Sequence, residues 1–345
     1  MGLLESHCDR SEQFAPFSGT YLRKVNNLAL QNQYTSGQRS FRQKLAPKLI
    51  YIRNHYFLYL MLVFPVAYYI LFHYVPMYGI GIAFRDYSIF TGARASTWTG
   101  FLNFSKIFAI AEFSRAIRNT LVLNVLTLVF GFPAPIILAL MLNEIRAGLY
   151  KKLSQTILYL PHFLSWVIIG GLVTTLFATT SGLINKGLTS IGLPAVPWLS
   201  DNGWWIFMYV FVTVWQGIGW GAIVYLSAIT GIDQEMYEAA KVDGCSRFKM
   251  MTKITLPSIR TTIVIMLILR VGGMMSIGFE KPQMLKNVMV NEVGDVISTF
   301  IYRYGIENNK FAISTAGGLL QSVINFALVM TANSLSRKIS DESIW

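Results

Sequence analysis

Six stretches of this chain are apolar over more than 20 residues each: Tyr56–Tyr78, Ile117–Leu142, Leu153–Phe177, Trp204–Ile229, Ile259–Phe279 and Phe311–Leu335. A helix of about 20 such residues crosses the roughly 30 Å hydrocarbon core of a bilayer. Lipid offers no partner to backbone N–H and C=O groups, so a spanning segment must bond its own backbone, as a helix does. The pattern therefore predicts an all-α integral membrane protein with about six transmembrane helices. Charge agrees, because only 13% of the 345 residues are charged, about half the share found in soluble domains. Trp98, Trp198, Trp204 and Trp205 fall near predicted span ends, where amphipathic rings favour the interface.

The net charge of +12 would suggest nucleic acid in a soluble protein. Here its distribution sets topology instead. With the N-terminus inside, eighteen Lys and Arg fall on inner segments and ten on outer ones, which places both termini in the cytoplasm. Residues 1–54 are expected to form a cytoplasmic tail, partly disordered and retained, since no apolar run precedes a small-residue cleavage site. Residues 55–345 form the membrane domain. Cys8 and Cys245 are far apart, and the four histidines stand near no cysteine pair, so neither a disulfide framework nor a metal site is predicted.

Within the spans, Pro133 and Pro135 each remove a backbone donor and invite a kink. Gly217 and Gly221 stand in GxxxG spacing, which allows close helix packing or a pore-lining backbone.

The most polar helical stretch, Tyr237–Pro257, lies between the fourth and fifth spans, within a loop of residues 230–258 on the cytoplasmic side. Asp233 is placed to cap a helix beginning at Gln234. Asp243-Gly244 supplies a turn, and Ser246 caps a second helix that Leu256-Pro257 is expected to end. By composition alone this could be an interfacial anchor. Its motif says more. Glu238-Ala239-Ala240, Gly244 and Ile254-x-Leu256-Pro257 fall in the register of the EAA loop, and the chain resembles permease subunits of ATP-binding-cassette importers. Cys245 stands where a small Ala is usual there.

"GFPAPIILALMLNEIR", "YLPHFLSW", "YLSAITGID" and "GLLQSVINFALVMTAN" extend the resemblance over residues 50–345 to the LplB-like sugar permeases. The resemblance implies the type I importer (MetI-like) permease fold and a bacterial cytoplasmic-membrane location. It further implies that Glu238, Ala239, Ala240, Asp243, Gly244, Ile254, Leu256 and Pro257 form a coupling element docked on a cytoplasmic ATPase. The partners it implies are two such ATPases, a second and different permease, and an extracytoplasmic sugar-binding protein. The cargo would be an oligosaccharide. The chain has no G-x-x-x-x-G-K-[ST], Gly182–Thr189 being the nearest look-alike, so ATP and Mg²⁺ belong to the partner ATPase.

Polar groups within spans are costly and point to function. Arg270 stands mid-way in the predicted fifth span, with Glu280 ten residues on, about 15 Å along a helix. Arg270 either forms an ion pair with another helix or subunit, or lines the solute path. In the second case an acidic sugar such as a uronate oligosaccharide becomes attractive. Asn124, Asn325 and Gln321 are candidates for interhelical hydrogen bonds or sugar contacts. Trp215 and Trp220 are candidates for core packing or for stacking on a sugar face.

A secondary transporter would need internal repeats, broken helices and coupling-ion ligands. A membrane enzyme would need a nucleophile–base pair or metal ligands at one depth. Neither constellation is visible, and no nucleic-acid role is expected.

Overall fold

The computed structural model describes residues 51, 54–90, 92–145, 148–274 and 276–340. Most of the predicted tail, with Cys8, lies outside the described residues. All regular structure among the described residues is helical, and the one strand-type contact is an isolated bridge between Arg85 and Trp98. The chain forms two compact units, residues 1–77 and 78–345.

The first unit contains α1 (Tyr56–Tyr69), which runs on through a π turn at Ile70–Tyr74. The second contains α2 (Leu102–Phe108), α3 (Ala111–Gly131), α4 (Pro133–Glu144), α5 (Leu149–Tyr159), α6 (Trp166–Phe177) and α7 (Asn202–Thr230). Then come α8 (Gln234–Val242), α9 (Arg247–Met250), α10 (Arg260–Gly272), α11 (Glu280–Leu285), α12 (Ile297–Tyr302) and α13 (Phe311–Ser340).

Among the described residues four stretches are long and apolar enough to cross a membrane unaided: Tyr56–Phe84, Ala111–Glu144, Asn202–Thr230 and Phe311–Thr331. The α3–α4 pair passes Pro133 as one such stretch, so the predicted kink is mild. The other two predicted spans are broken. The predicted third span, Leu153–Phe177, bends by 100° between residues 163 and 166. Pro161 sits in a 3₁₀ turn there, and Ser165 is extended, its Oγ accepting from Ile168 N at 3.4 Å to cap α6. The predicted fifth span, Ile259–Phe279, stops at Gly272. Two consecutive glycines, poor helix formers, and a left-handed Gly278 (φ +81°) lead the chain out of helix.

The predicted stop at Leu256-Pro257 also moves. The second helix of the loop runs through a π turn at Met251–Thr255 into Leu256–Ser258. The wider turn absorbs the missing proline donor and relieves the ring's clash with the preceding turn. The helix ends instead at Ile259, and α10 leaves at 62°.

Helix α7 is the hub. Its Trp205, Met208 and Tyr209 are buried against Leu123 of α3, Ile169 of α6, Leu285 and Val296. Its C-terminal half packs Ala222, Tyr225 and Ile229 against Ile136 and Ala139 of α4 and Ile259. A further cluster joins Ile107, Phe113, Ile297 and Phe300. The segment between α11 and α12 is held by Asp295, 1% exposed. Its carboxylate accepts from Arg303 at 2.7 Å, Thr299 at 2.7 Å and Lys286 at 3.4 Å. Asn119 of α3 donates to the Glu292 and Asp295 carbonyls at 2.8 and 2.9 Å.

Helices α7 and α5 approach closely at Gly219, between the two GxxxG glycines. A Cβ on Gly219 would lie 2.0 Å from the Leu158 carbonyl oxygen of α5, whereas one on Gly217 would meet nothing within 4 Å. Gly219→Ala is therefore expected to destabilise the fold by about 1–3 kcal/mol, the usual cost of overpacking. Gly217→Ala should not lower the melting temperature in detergent, since Ala is the better helix former. Equal melting temperatures for both variants would contradict this packing.

Candidate functional site

Two features of the second unit carry chemistry: the hairpin between α7 and α10, and a cavity beside α7.

The hairpin follows local rules. Asp233 Oδ1 accepts from Glu235 N at 3.0 Å and opens α8. Gly244, at φ +71°, takes the left-handed turn that closes it. Cys245 N donates back to Ala240 O at 2.9 Å. Ser246 Oγ accepts from Lys249 N at 3.4 Å and opens α9. The Tyr237 and Thr255 hydroxyls meet at 2.9 Å and brace the two arms. Ala240 is buried, while Glu238, Ala239, Asp243, Gly244, Leu256 and Pro257 are exposed and Ile254 is half-buried. Met236, Val242 and Phe248 are exposed as well, the last two 89% and 70%. Arg247 reaches Glu144 of α4 at 3.9 Å. That exposed pair contributes well under about 1 kcal/mol.

The cavity has a volume of about 480 Å³, within the roughly 300–1,000 Å³ of small-molecule sites. It lies where both broken spans meet α7. His162 and Trp166 come from the α5–α6 break, Gln216 and Trp220 from α7, Arg270 from α10 and Lys281 from α11. His162 stacks on Trp220 with centroids 4.5 Å apart and planes 6° apart. Lys281 Nζ stands 5.2 Å from the Tyr209 ring centroid and 5.7 Å from that of Trp166. Of the residues lining the cavity none is Asp or Glu. Among the described residues neither cation has an ion-pair partner.

The breaks leave backbone groups that helices would have paired, and amide side chains take them up. Gln216 Nε2 donates to the His162 carbonyl at 3.3 Å. Asn124 of α3 donates to the Met274 carbonyl, and Ser298 to that of Gly278 at 2.6 Å. Asn325 of α13 donates to Ser276 Oγ at 2.7 Å.

Of the path candidates read from sequence, Arg270 and Trp220 line this cavity. Asn124 and Asn325 bond to the non-helical segment that follows α10 rather than to another helix, and Gln321, Trp215 and Glu280 are not among the cavity's lining residues. Because α10 ends at Gly272, the helical 15 Å between Arg270 and Glu280 does not exist. The chain folds back and brings Lys281 to Arg270 instead. Sequence reading missed Lys281 and Gln216. Lys281 lies past the predicted span end, and Gln216 sits in a run that reads as helix core.

Residues 131–341, more than half of the chain, match the family model described as "Binding-protein-dependent transport system inner membrane component". The chain belongs to that family. This inner membrane component is 42% identical over 294 residues to Protein LplB of Bacillus subtilis (strain 168), covering 85% of this chain and 92% of that one. It is 41% identical over 304 residues to the polygalacturonan/rhamnogalacturonan transport system permease protein YteP of the same organism, covering 88% and 94%. Among solved structures, a chain of a bacterial ABC transporter involved in the import of the acidic polysaccharide alginate is 40% identical. It superposes with a TM-score of 0.79 over 85% of this chain and 99% of that one. The fold is thus the all-α importer permease fold expected from sequence.

Asn124→Leu leaves the Met274 carbonyl unpaired and is expected to cost about 1–3 kcal/mol. The check is a lower melting temperature of the purified protein. An unchanged one would separate Asn124 from the integrity of the break.

Proposed function

We propose that this chain is a non-catalytic permease subunit of an ATP-binding-cassette importer. It moves an oligosaccharide, acidic in class, into the cell across the bacterial cytoplasmic membrane by alternating access. The observation that carries this reading is the braced hairpin joined to α7 and α10. It presents exposed Glu238 and Val242 one helical turn apart on α8, with Phe248 exposed on the second arm, acidic and apolar groups suited to a protein groove. Packed helical elements move as units, so a hairpin of this kind transmits a push better than a loose loop.

In this reading both termini and the hairpin face the cytoplasm, and two separate ATPases bind ATP and Mg²⁺. A second, related permease completes the translocation path. One solved relative is a bacterial alginate ABC transporter in complex with an alginate pentasaccharide-bound periplasmic protein, and its chain is 40% identical to this one with a TM-score of 0.77. That supports a solute-binding protein as the donor of cargo here. The names of this relative and of YteP support acidic sugars.

Broken spans also suit a secondary transporter. The cavity at these breaks has no carboxylate among its lining residues to hold a coupling cation or proton, which favours ATP as the energy source.

Tagged and co-expressed with its neighbouring genes, the chain is expected to bring down an ATPase and a second permease in stoichiometric amounts from mild detergent. Glu238→Arg and Gly244→Arg should each cut ATPase recovery at least tenfold without loss of the chain from the membrane. Recovery of the chain alone, or undiminished ATPase with both variants, would remove the hairpin's role.

A further inference from the structure

The cavity beside α7 has an electrostatic problem that nothing on its walls solves. Arg270 is ten residues beyond Arg260 at the start of α10, about 15 Å along the helix. That is half of a hydrocarbon core of about 30 Å. Lys281 enters the same cavity from α11. Two cations that share a low-dielectric space repel each other and resist desolvation. The Trp166 and Tyr209 rings at 5.7 and 5.2 Å hold the Lys281 head, yet they supply no formal charge. A negative occupant relieves both costs at once.

The rest of the lining fits a sugar. Trp220 remains 48% exposed although His162 stacks on it. The apolar C–H face of a pyranose ring packs against such a surface. The buried His162 Nδ1 has no hydrogen-bond partner among the described residues, and Thr213 also lines the cavity. Both offer hydrogen bonds to hydroxyls.

We propose that this cavity is a uronate subsite, in which the carboxylate of one sugar unit sits between Arg270 and Lys281 and its ring lies against Trp220. The inference rests on the oligosaccharide-importer reading and adds Lys281 to it as a specificity-determining residue. The location follows from the two helix breaks. Non-helical backbone at bilayer depth is tolerated where it lines a cavity; here His162 of the first break lines one, and Arg270 and Lys281 reach it from the helices that flank the second. Charge-assisted contacts favour a carboxylate over its neutral ester.

The test compares trigalacturonate with its fully methyl-esterified form, which has the same skeleton and no charge. Both are titrated by saturation-transfer NMR against whatever assembly the chain purifies in, embedded in nanodiscs and without any binding protein. The acid is expected to bind at least tenfold more tightly than the ester. Lys281→Gln and Arg270→Gln should each remove most of that preference, and Lys281→Arg should keep it. Equal binding of acid and ester to the wild type overturns the proposal and needs no variant to read. A preference that survives both neutral substitutions overturns it as well. So does a wild type without preference whose Arg270→Gln variant loses the second permease, because Arg270 would then be paired with a partner's carboxylate. Absence of the ATPase from the purified material counts against the importer reading alone, because the acid–ester comparison does not depend on ATP.

Discussion

A backbone carbonyl at bilayer depth has no water to bond, so every departure from helix must be met by a side chain or by another segment. Among the described residues the breaks in two predicted spans are each met from a neighbouring helix. Gln216 of α7 takes the His162 carbonyl, and Asn124 of α3 takes that of Met274. These amides let the chain leave helix without exposing its polar backbone to lipid, and they fix where it does so. Space follows from the breaks, since a segment that turns aside no longer fills the groove beside α7. The cavity, its cations and its aromatic stack all depend on these few hydrogen bonds.

The same helices that wall the cavity carry the hairpin. Helix α7 bears Gln216 and Trp220 and runs directly to Thr230, three residues before the Asp233 cap. Helix α10 leaves the other arm of the hairpin and ends just past Arg270. The distance from Thr230 to Gln216 is fourteen residues, about 21 Å of continuous helix. A displacement at the hairpin therefore reaches both walls of the cavity through rigid elements. The Tyr237–Thr255 contact ties the two arms together. The opposite region is pinned differently, by the buried Asp295 with Arg303 and Lys286 and by Asn119 on α3. A network of this kind is expensive to break.

Much of this was legible in the residues. Apolar run length gave helices α3–α4, α7 and α13 their places, because the bilayer imposes a minimum length that few soluble elements reach. Asp233, Gly244 and Ser246 set the hairpin through capping and a left-handed turn, which are local properties of three or four residues. The Glu238–Pro257 motif pointed to the family for the same reason: its spacing is contained in one loop. The two broken spans could not be read this way. Leu153–Phe177 and Ile259–Phe279 have the composition of whole helices, and hydropathy averages over the very residues, Pro161 and Gly272-Gly273, at which they part.

The sequence by itself therefore determined a helical membrane protein, the hairpin and the kinship, since each depends on neighbours along the chain or on the solvent around it. Only the tertiary structure decided which polar residues share a space. Arg270 and Lys281 are eleven positions apart and no helical spacing joins them. Trp220 and His162 belong to different spans. The cations meet because α10 stops at Gly272 and the following segment turns back, held by Asn124, Ser298 and Asn325, and the rings meet because the chain turns at Pro161.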